Sequence, residues 1–372
     1  MKTRIGDISI QIRGVSYKPS DISDENDPQS IAILRANNIS NHGEIETSDL
    51  VWITQNRVKP EQILRTGDIL LCASSGSKGL VGKAAQVTGD YGMSFGAFCK
   101  VIRPMIANKK YLGFYFQSPQ YRHLISEASA GININNIRAE DLDGLVIEIP
   151  SESEQDERCS VLDKVEKAIL LRRQQIQKLN DLVKSQFIEM FGGYSLRNKQ
   201  PGWVKVGAVA EVVGGSTPKT DKPEYWDGDF YWVTPAEIKE DDFIVTHTQR
   251  SLTEKGVGSC SLRRLPVGTV LLSSRAPIGK VAIAGVEMYC NQGFKNLICG
   301  EELNSVYVYA LLKYNSDYLN SLGRGATFKE ISKSIVENIY IPVPAIALQN
   351  EFARFVEQTD KSKIPCEMEV AA

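Results

Sequence analysis

The chain has 372 residues and a mass of 41.2 kDa, with 42% hydrophobic and 24% charged residues. That balance belongs to a globular protein rather than a disordered or fibrous one, and at roughly 100–200 residues per domain the length suggests two domains. The 43 basic residues against 45 acidic ones exclude a uniformly basic nucleic-acid binder but leave local basic patches open.

In chain order, the N-terminal MKTRIGDISIQI lacks the apolar core of a secretory signal. The next stretch consists of short β-branched runs broken by Gly, Pro, Asn and Asp, which predicts strands such as Asp68–Cys72 and Leu145–Ile149. A helix is expected over Lys109–Ser126. From about Ser153 to Phe191 there is neither Gly nor Pro, and Leu162, Val165, Ile169, Ile176, Leu179, Val183 and Met190 fall on a 3-4 spacing. That heptad pattern predicts one long helix seeking a partner helix, with Arg172 and Gln186 in its seam. At ~1.5 Å per residue it would reach about 55 Å. Ser153 with Asp156 resembles a capping-box start, and Gly192-Gly193 is a natural stop. Strands are then expected at Thr269–Ser273, Val281–Ala284 and Ile339–Val343, with a helix over Leu303–Leu319. A second, shorter helix begins near Leu348 with Phe352, Phe355 and Val356 on one face; it should end at Pro365. The fold class is mixed α+β with a β-rich body.

The chain also repeats itself. LVIEIPSESEQDE (145–157) aligns with IYIPVPAIALQNE (339–351) at an offset of 194, so that Pro150 falls on Pro344, Gln155 on Gln349 and Glu157 on Glu351. Upstream the offset drifts: GDILLCASS (67–75) matches GTVLLSSRA (268–276), Gly82-Lys83 matches Gly279-Lys280, and ILRANNI (33–39) matches WVTPAEI (232–238). Small drifts are what loops permit. The period is too long for a solenoid, so the pattern implies two copies of one domain, each followed by a helical segment.

No catalytic constellation emerges. The histidines, His42, His123 and His247, have no metal-ligand spacing. GSKGLVGKA (76–84) has five residues between its glycines and no hydroxyl after Lys83, so it fails as a phosphate loop. Neither G-x-G-x-x-G nor N-P-P-[YF] is present. Seven scattered cysteines without C-x-x-C argue against a zinc site or disulfide framework and fit a reducing cytoplasm. No stretch approaches ~18 consecutive apolar residues.

What remains are polar, Gly-containing loops and two segments without acids. Residues 255–286 carry Lys255, Arg263, Arg264, Arg275 and Lys280; residues 91–126 carry Lys100, Arg103, Lys109, Lys110 and Arg122. Such cations suit phosphate contacts, Arg and Lys can donate to guanine, and Asn and Gln can bond adenine. Candidate contacts in the first copy are Arg35, Asn37 and Asn38, then Ser74, Lys78 and Lys83, then Asn133 and Asn135. In the second copy they are Thr217, Lys219 and Thr234, then Arg275 and Lys280, then Gln292 and Lys295, then Arg324 and Lys329. The bland alternative is a set of solvated turns.

The order GGSTPKTDKPEYWDGDFYWVTPAEI (214–238), LLSSRAPIGKVAIAG (271–285), NQGFKNLIC (291–299), GATFKEISKSIVENIYIPVP (325–344) and LQNEF (348–352) resembles the specificity subunit of type I restriction-modification systems. The first copy carries a more divergent set: ILRANNI, GDILLCASSG, SFGAFCKVI, GININNI and EIPSESEQDE. The resemblance implies two target recognition domains, 1–152 and 194–346, each reading half of a split double-stranded DNA site. It implies a central helix, 153–193, and a distal helix and tail, 347–372, shorter than the family pattern and apparently truncated. These would form long antiparallel coiled-coil-type helices in a pseudo-two-fold repeat, setting the spacer and docking the modification subunits, with restriction subunits joining through that core. Leu162, Val165, Ile169, Ile176, Leu179, Val183, Phe352 and Val356 are the expected docking positions. S-adenosylmethionine, ATP and magnesium would belong to the partner subunits, leaving this chain without cofactor, metal or catalytic residue, in the cytoplasm. The competing expectation is an interaction scaffold, or an inactive truncated subunit, that no longer reads sequence.

Overall fold

The computed structural model describes residues 2–76, 78–106, 108–129, 136–239, 242–275, 277–325 and 329–371. The chain forms two compact units, Met1–Ala168 and Ile169–Ala372. In the first, β1 (Lys2–Arg4) and the one-turn α1 (Ile5–Ile8) lead into β2 (Ser9–Arg13), β3 (Ser30–Leu34) and β4 (Val51–Thr54). Strands β5 (Ile69–Cys72), β6 (Ala84–Gln86), β7 (Ser94–Phe95) and β8 (Cys99–Pro104) follow. Then come α2 (Lys109–Gln117), α3 (Pro119–Ser129), α4 (Ala139–Asp143), β9 (Val146–Glu148) and the start of α5 (Glu152–Phe191). The strands form three sheets, in the orders β2-β8-β5-β6, β4-β3-β7 and β1-β9.

The second unit continues α5 and then repeats the series. It has β10 (Val204–Lys205), α6 (Val206–Val209), β11 (Ala210–Gly214), β12 (Trp226–Val233), β13 (Ile244–Val245), β14 (Arg250–Leu252) and α7 (Glu254–Gly258). Next are β15 (Val270–Leu272), β16 (Val281–Ala284), β17 (Tyr289–Cys290), β18 (Lys295–Cys299), α8 (Ser305–Lys313), α9 (Ser316–Ser321), α10 (Lys333–Glu337), β19 (Tyr340–Ile341) and α11 (Ile346–Ala371). Its sheets run β11-β18-β15-β16-β13, β14-β12-β17 and β10-β19. Apart from β13 and α7, among the described residues each element has a counterpart in the first unit, in the same order. Both three-stranded sheets even share one parallel pairing, β3 with β7 and β12 with β17. Turn geometry repeats too: Gly67 and Gly268 have φ of 91° and 86°, a region open to Gly because it lacks Cβ.

The alternating and continuous apolar runs become the cores. All of β5, β15 and β16 is buried, as expected for strands covered on both faces. In the first unit Ile5, Leu112, Phe116, Tyr121 and Ile147 join one cluster, and Leu34, Leu70, Phe95 and Val101 another. Burial of each such aliphatic or phenyl side chain contributes about 1.5–3 kcal/mol.

Each of the two expected mid-domain helices is broken in two. Pro119 excludes helical geometry at the residue before it, and Ser118 is extended at ψ 150°. In the second unit Asn315 makes the break, accepting from Leu196 N at 2.9 Å and donating to Leu311 O at 2.9 Å and Tyr194 O at 3.0 Å. The opposite error concerns Pro365. Helix α11 continues past it to Ala371. A proline removes one internal hydrogen bond, yet the ladder on either side remains available, and no Gly or turn signal follows in the sequence.

The repeated Pro and Gln turn out to fasten helix starts. Gln155 Nε2 donates to Pro150 O at 3.0 Å, and Gln349 Nε2 donates to Pro344 O at 2.7 Å. Helix α5 spans 40 residues, about 60 Å of rise. In the first unit it is held by Asn108 Nδ2 to Asp156 Oδ1 at 2.6 Å and by the Lys110–Asp163 pair. Between and just after these anchors many of its apolar side chains are open: Val161, Leu162, Val165, Leu170 and Leu171 are 40–55% exposed. Ile169, Ile176 and Leu179 are half-buried. In the second unit Val183, Phe187 and Phe191 enter the core with Phe352 and Val356, the Phe352 ring lying 5.5 Å from each of the other two phenyl rings. Val183, Phe352 and Val356 are therefore core residues of that unit, because aromatic packing covers them.

Candidate nucleic-acid interface

One corner recurs in both units. After β15, Ser274 N donates to Gly293 O at 2.7 Å and Ile331 N donates to Ser274 O at 2.9 Å. After β5, Ala73 N donates to Phe98 O at 2.9 Å and Ile137 N donates to Ala73 O at 2.8 Å. The next residues bridge in the same way, Arg275 to Glu330 and Ser74 to Asn136. The backbone thus equates Ser74 with Arg275, Asn136 with Glu330, Phe98 with Gly293 and Lys100 with Lys295. One frame carries two different sets of side chains.

In the second unit the corner is ionic. Arg275 Nε donates to Glu330 Oε2 at 3.0 Å, and Lys295 Nζ to Glu330 Oε1 at 3.3 Å and Ser274 Oγ at 3.3 Å. Arg324 is bridged to Glu330 through the backbone, and the Thr217 hydroxyl donates to the side-chain carbonyl of the exposed Gln292. Partial burial alone would raise the Glu330 carboxyl, but the hydrogen bonds and charges of Arg275 and Lys295 together outweigh it and hold the group below its ordinary 4.5. Arg275, Lys295 and Arg324 are therefore brought together around a glutamate that the sequence reading missed, and Gln292, bonded to Thr217, joins them through Lys295 Nζ, which donates to Gln292 O at 3.5 Å.

Lys280 points elsewhere. Its ammonium donates to Ile238 O at 2.7 Å and Pro235 O at 3.4 Å, tying down the turn after β12. Thr234 caps that same turn, its N and hydroxyl both donating to Glu237 Oε1 at 2.9 Å. Lys219 and Lys329 are exposed.

In the first unit the equivalent turn after β3 is capped by Asn38, whose Oδ1 accepts from Arg35 N at 2.9 Å. Asn38 is buried, and its amide donates to Glu46 O at 2.9 Å and Asp49 O at 3.0 Å. Arg35 and Asn37 both reach Asp49 Oδ2 at 2.8 Å. Ser74 and Lys83 are half-buried. Lys100 Nζ donates to Ile137 O at 3.0 Å, and burial, followed by the nearby Arg13 charge, lowers its pKa. Beside Ser74 and Asn136 stands Phe98, 70% exposed. Asn133 and Asn135 lie outside the described residues, as does the Lys78 side chain.

The acid-free segments are less basic in space than in sequence. Arg263 meets Glu211 at 3.3 Å, Arg264 pairs with Glu287, and Arg275 meets Glu330. Arg103 makes a two-point pair with Asp68, at 2.9 and 2.8 Å, and Arg122 donates to Val81 O and Gly79 O at 3.0 Å each. Much of this cationic charge is therefore matched by carboxylates and carbonyls distant in sequence. Burial also pushes the Cys99 and Cys290 thiols up to about 12, which leaves them unreactive. Among the described residues no group of three or more His, Cys, Asp or Glu could hold a metal, and no helix is long and apolar enough to cross a membrane.

The type I restriction modification DNA specificity domain matches this chain twice, over residues 1–181 and 202–369. The StySPI specificity subunit of Salmonella potsdam is 26% identical over 95% of this chain and 80% of its own length. The MjaIX specificity subunit of Methanocaldococcus jannaschii is 42% identical over 42% of this chain, which spans only 37% of that relative. A type I restriction-modification S subunit from M. genitalium shares the fold at a TM-score of 0.54 and 15% identity, over 100% of this chain and 92% of that one. The chain belongs to the family of type I restriction-modification specificity subunits.

Proposed function

We propose that this chain is the DNA-recognition subunit of a type I restriction-modification complex, each unit reading one half of an asymmetric two-part site. The observation that carries the reading is the repeated corner. A matching backbone frame carries Arg275, Gln292, Gly293 and Glu330 in one unit and Ser74, Ala97, Phe98 and Asn136 in the other. Different donors, acceptors and apolar groups on the same frame would read different bases. Two modest half-site affinities combine through effective concentration when the readers are joined by a semi-rigid element.

Helix α5 is the element we assign to setting the spacer and docking methyltransferase subunits. Its uncovered Leu162 and Val165 support this, since they share one face with the half-buried Ile169, and adjoining apolar exposure marks interaction surfaces. Methyl transfer, ATP-driven motion and cleavage, with S-adenosylmethionine, ATP and magnesium, are assigned to the modification and restriction subunits, in the cytoplasm. Among the candidates, Arg275, Gln292, Arg324, Lys329, Thr217 and Lys219 are proposed DNA contacts. Asn38, Thr234 and Lys280 are proposed to shape the reading loops.

The experiment is a footprint of the chain bound to its modification subunits. Two short protected segments separated by a tolerant gap are expected. Uniform protection of every sequence would favour the scaffold reading and overturn this one.

A further inference from the structure

Phe98 is the most exposed large hydrophobic side chain among the described residues, at 70%, yet its backbone is firmly held. Its carbonyl accepts from Ala73 N at 2.9 Å and Ser74 N at 3.0 Å, and Cys99 N closes a tight turn onto Gly96 O at 2.8 Å. The neighbouring Gly96 and Ala97 are small, so the ring stands alone on a rigid tip beside Ser74 and Asn136. An exposed phenyl on an otherwise polar rim costs solvation and adds nothing to the core. The equivalent position in the second unit is Gly293, so the feature is not required by the frame.

Resting on the recognition reading, we propose that Phe98 is a base-contacting residue, which gives the half-site read by the first unit an apolar contact absent from the other half. Its chemical complement is an apolar base surface, either a thymine C5-methyl in the major groove or the face of a base unstacked by the ring. Both involve no phosphate, so the contact adds specificity without adding to the salt dependence.

The test uses the full chain with its modification subunits and the target defined by sequencing modified DNA. Phe98→Ala is expected to weaken target binding about tenfold, within the range for aromatic–base contacts, while the salt slope and melting temperature stay unchanged. Two arms separate the sources. Replacing each thymine of the target by deoxyuridine should cost affinity at one position for the unaltered chain and nothing for the variant if the methyl is read. A 2-aminopurine scan should show a fluorescence rise that the variant abolishes if a base is unstacked. Either signature should fall in one half-site only. Unchanged affinity in Phe98→Ala, or a loss with neither signature, overturns the inference while leaving the recognition reading intact. Absence of any target preference in the unaltered chain overturns both.

Discussion

Arg103 and Arg275 show how differently two arginines of one composition behave. Arg103 and Asp68 have only 15% and 2% of their side chains exposed, so removing one partner strands a buried charge. Arg103→Met should cost about 3–5 kcal/mol of stability by denaturant unfolding, with any effect on DNA following the loss of fold. Arg275 and Glu330, at 48% and 36%, contribute little to stability because water screens them. Their pairing instead masks charge. Glu330→Gln should raise affinity for random-sequence DNA at neutral pH and steepen the salt slope by about one, measured by fluorescence anisotropy across a salt series. Because the folded carboxyl titrates below its unfolded value, the pairing persists above that value and is lost as pH falls through the lower folded one. The unaltered chain should therefore converge on the variant only at that acidic end. Lys280→Ala should weaken target binding with an unchanged salt slope, since its ammonium serves the carbonyls of Ile238 and Pro235.

Elements were legible in the sequence where apolar patterning alone determines them. Val281–Ala284 reads as a buried strand and is one, and the Gly- and Pro-free run from Ser153 becomes a single helix. Prolines misled in both directions. Pro119 starts a new helix at the site of a break that periodicity bridges, while Pro365 sits inside α11. Charge misled for a spatial reason: Arg263 and Glu211 are 52 residues apart in the chain yet adjacent in the fold, so counting acids in a window cannot see their pairing. Along α5 the heptad pattern runs from Leu162 to Met190, but the fold buries side chains only near its two ends, at Gln155 and Cys159 and again at Val183, Phe187 and Phe191. Substituting Leu162 and Val165 by Lys should leave the melting temperature within a few degrees and abolish co-purification with the modification subunits. A seven-residue insertion between Leu170 and Asn180 advances the helix by about 10.5 Å with its face preserved. The modified DNA should then show the same half-sites with a longer gap.

The molecule as a whole is one domain plan used twice, with the side chains differing at the rim. The sheets, left-handed turn glycines and Gln-to-Pro helix fasteners are held in common, whereas the Ser74/Arg275, Asn136/Glu330 and Phe98/Gly293 positions differ. A host carrying this chain with its modification subunits offers the most direct measurement, which is single-molecule sequencing of its methylated DNA. One asymmetric motif of two short defined segments flanking a fixed, sequence-tolerant gap is expected. A contiguous motif, or two identical half-sites in palindromic array, would contradict it.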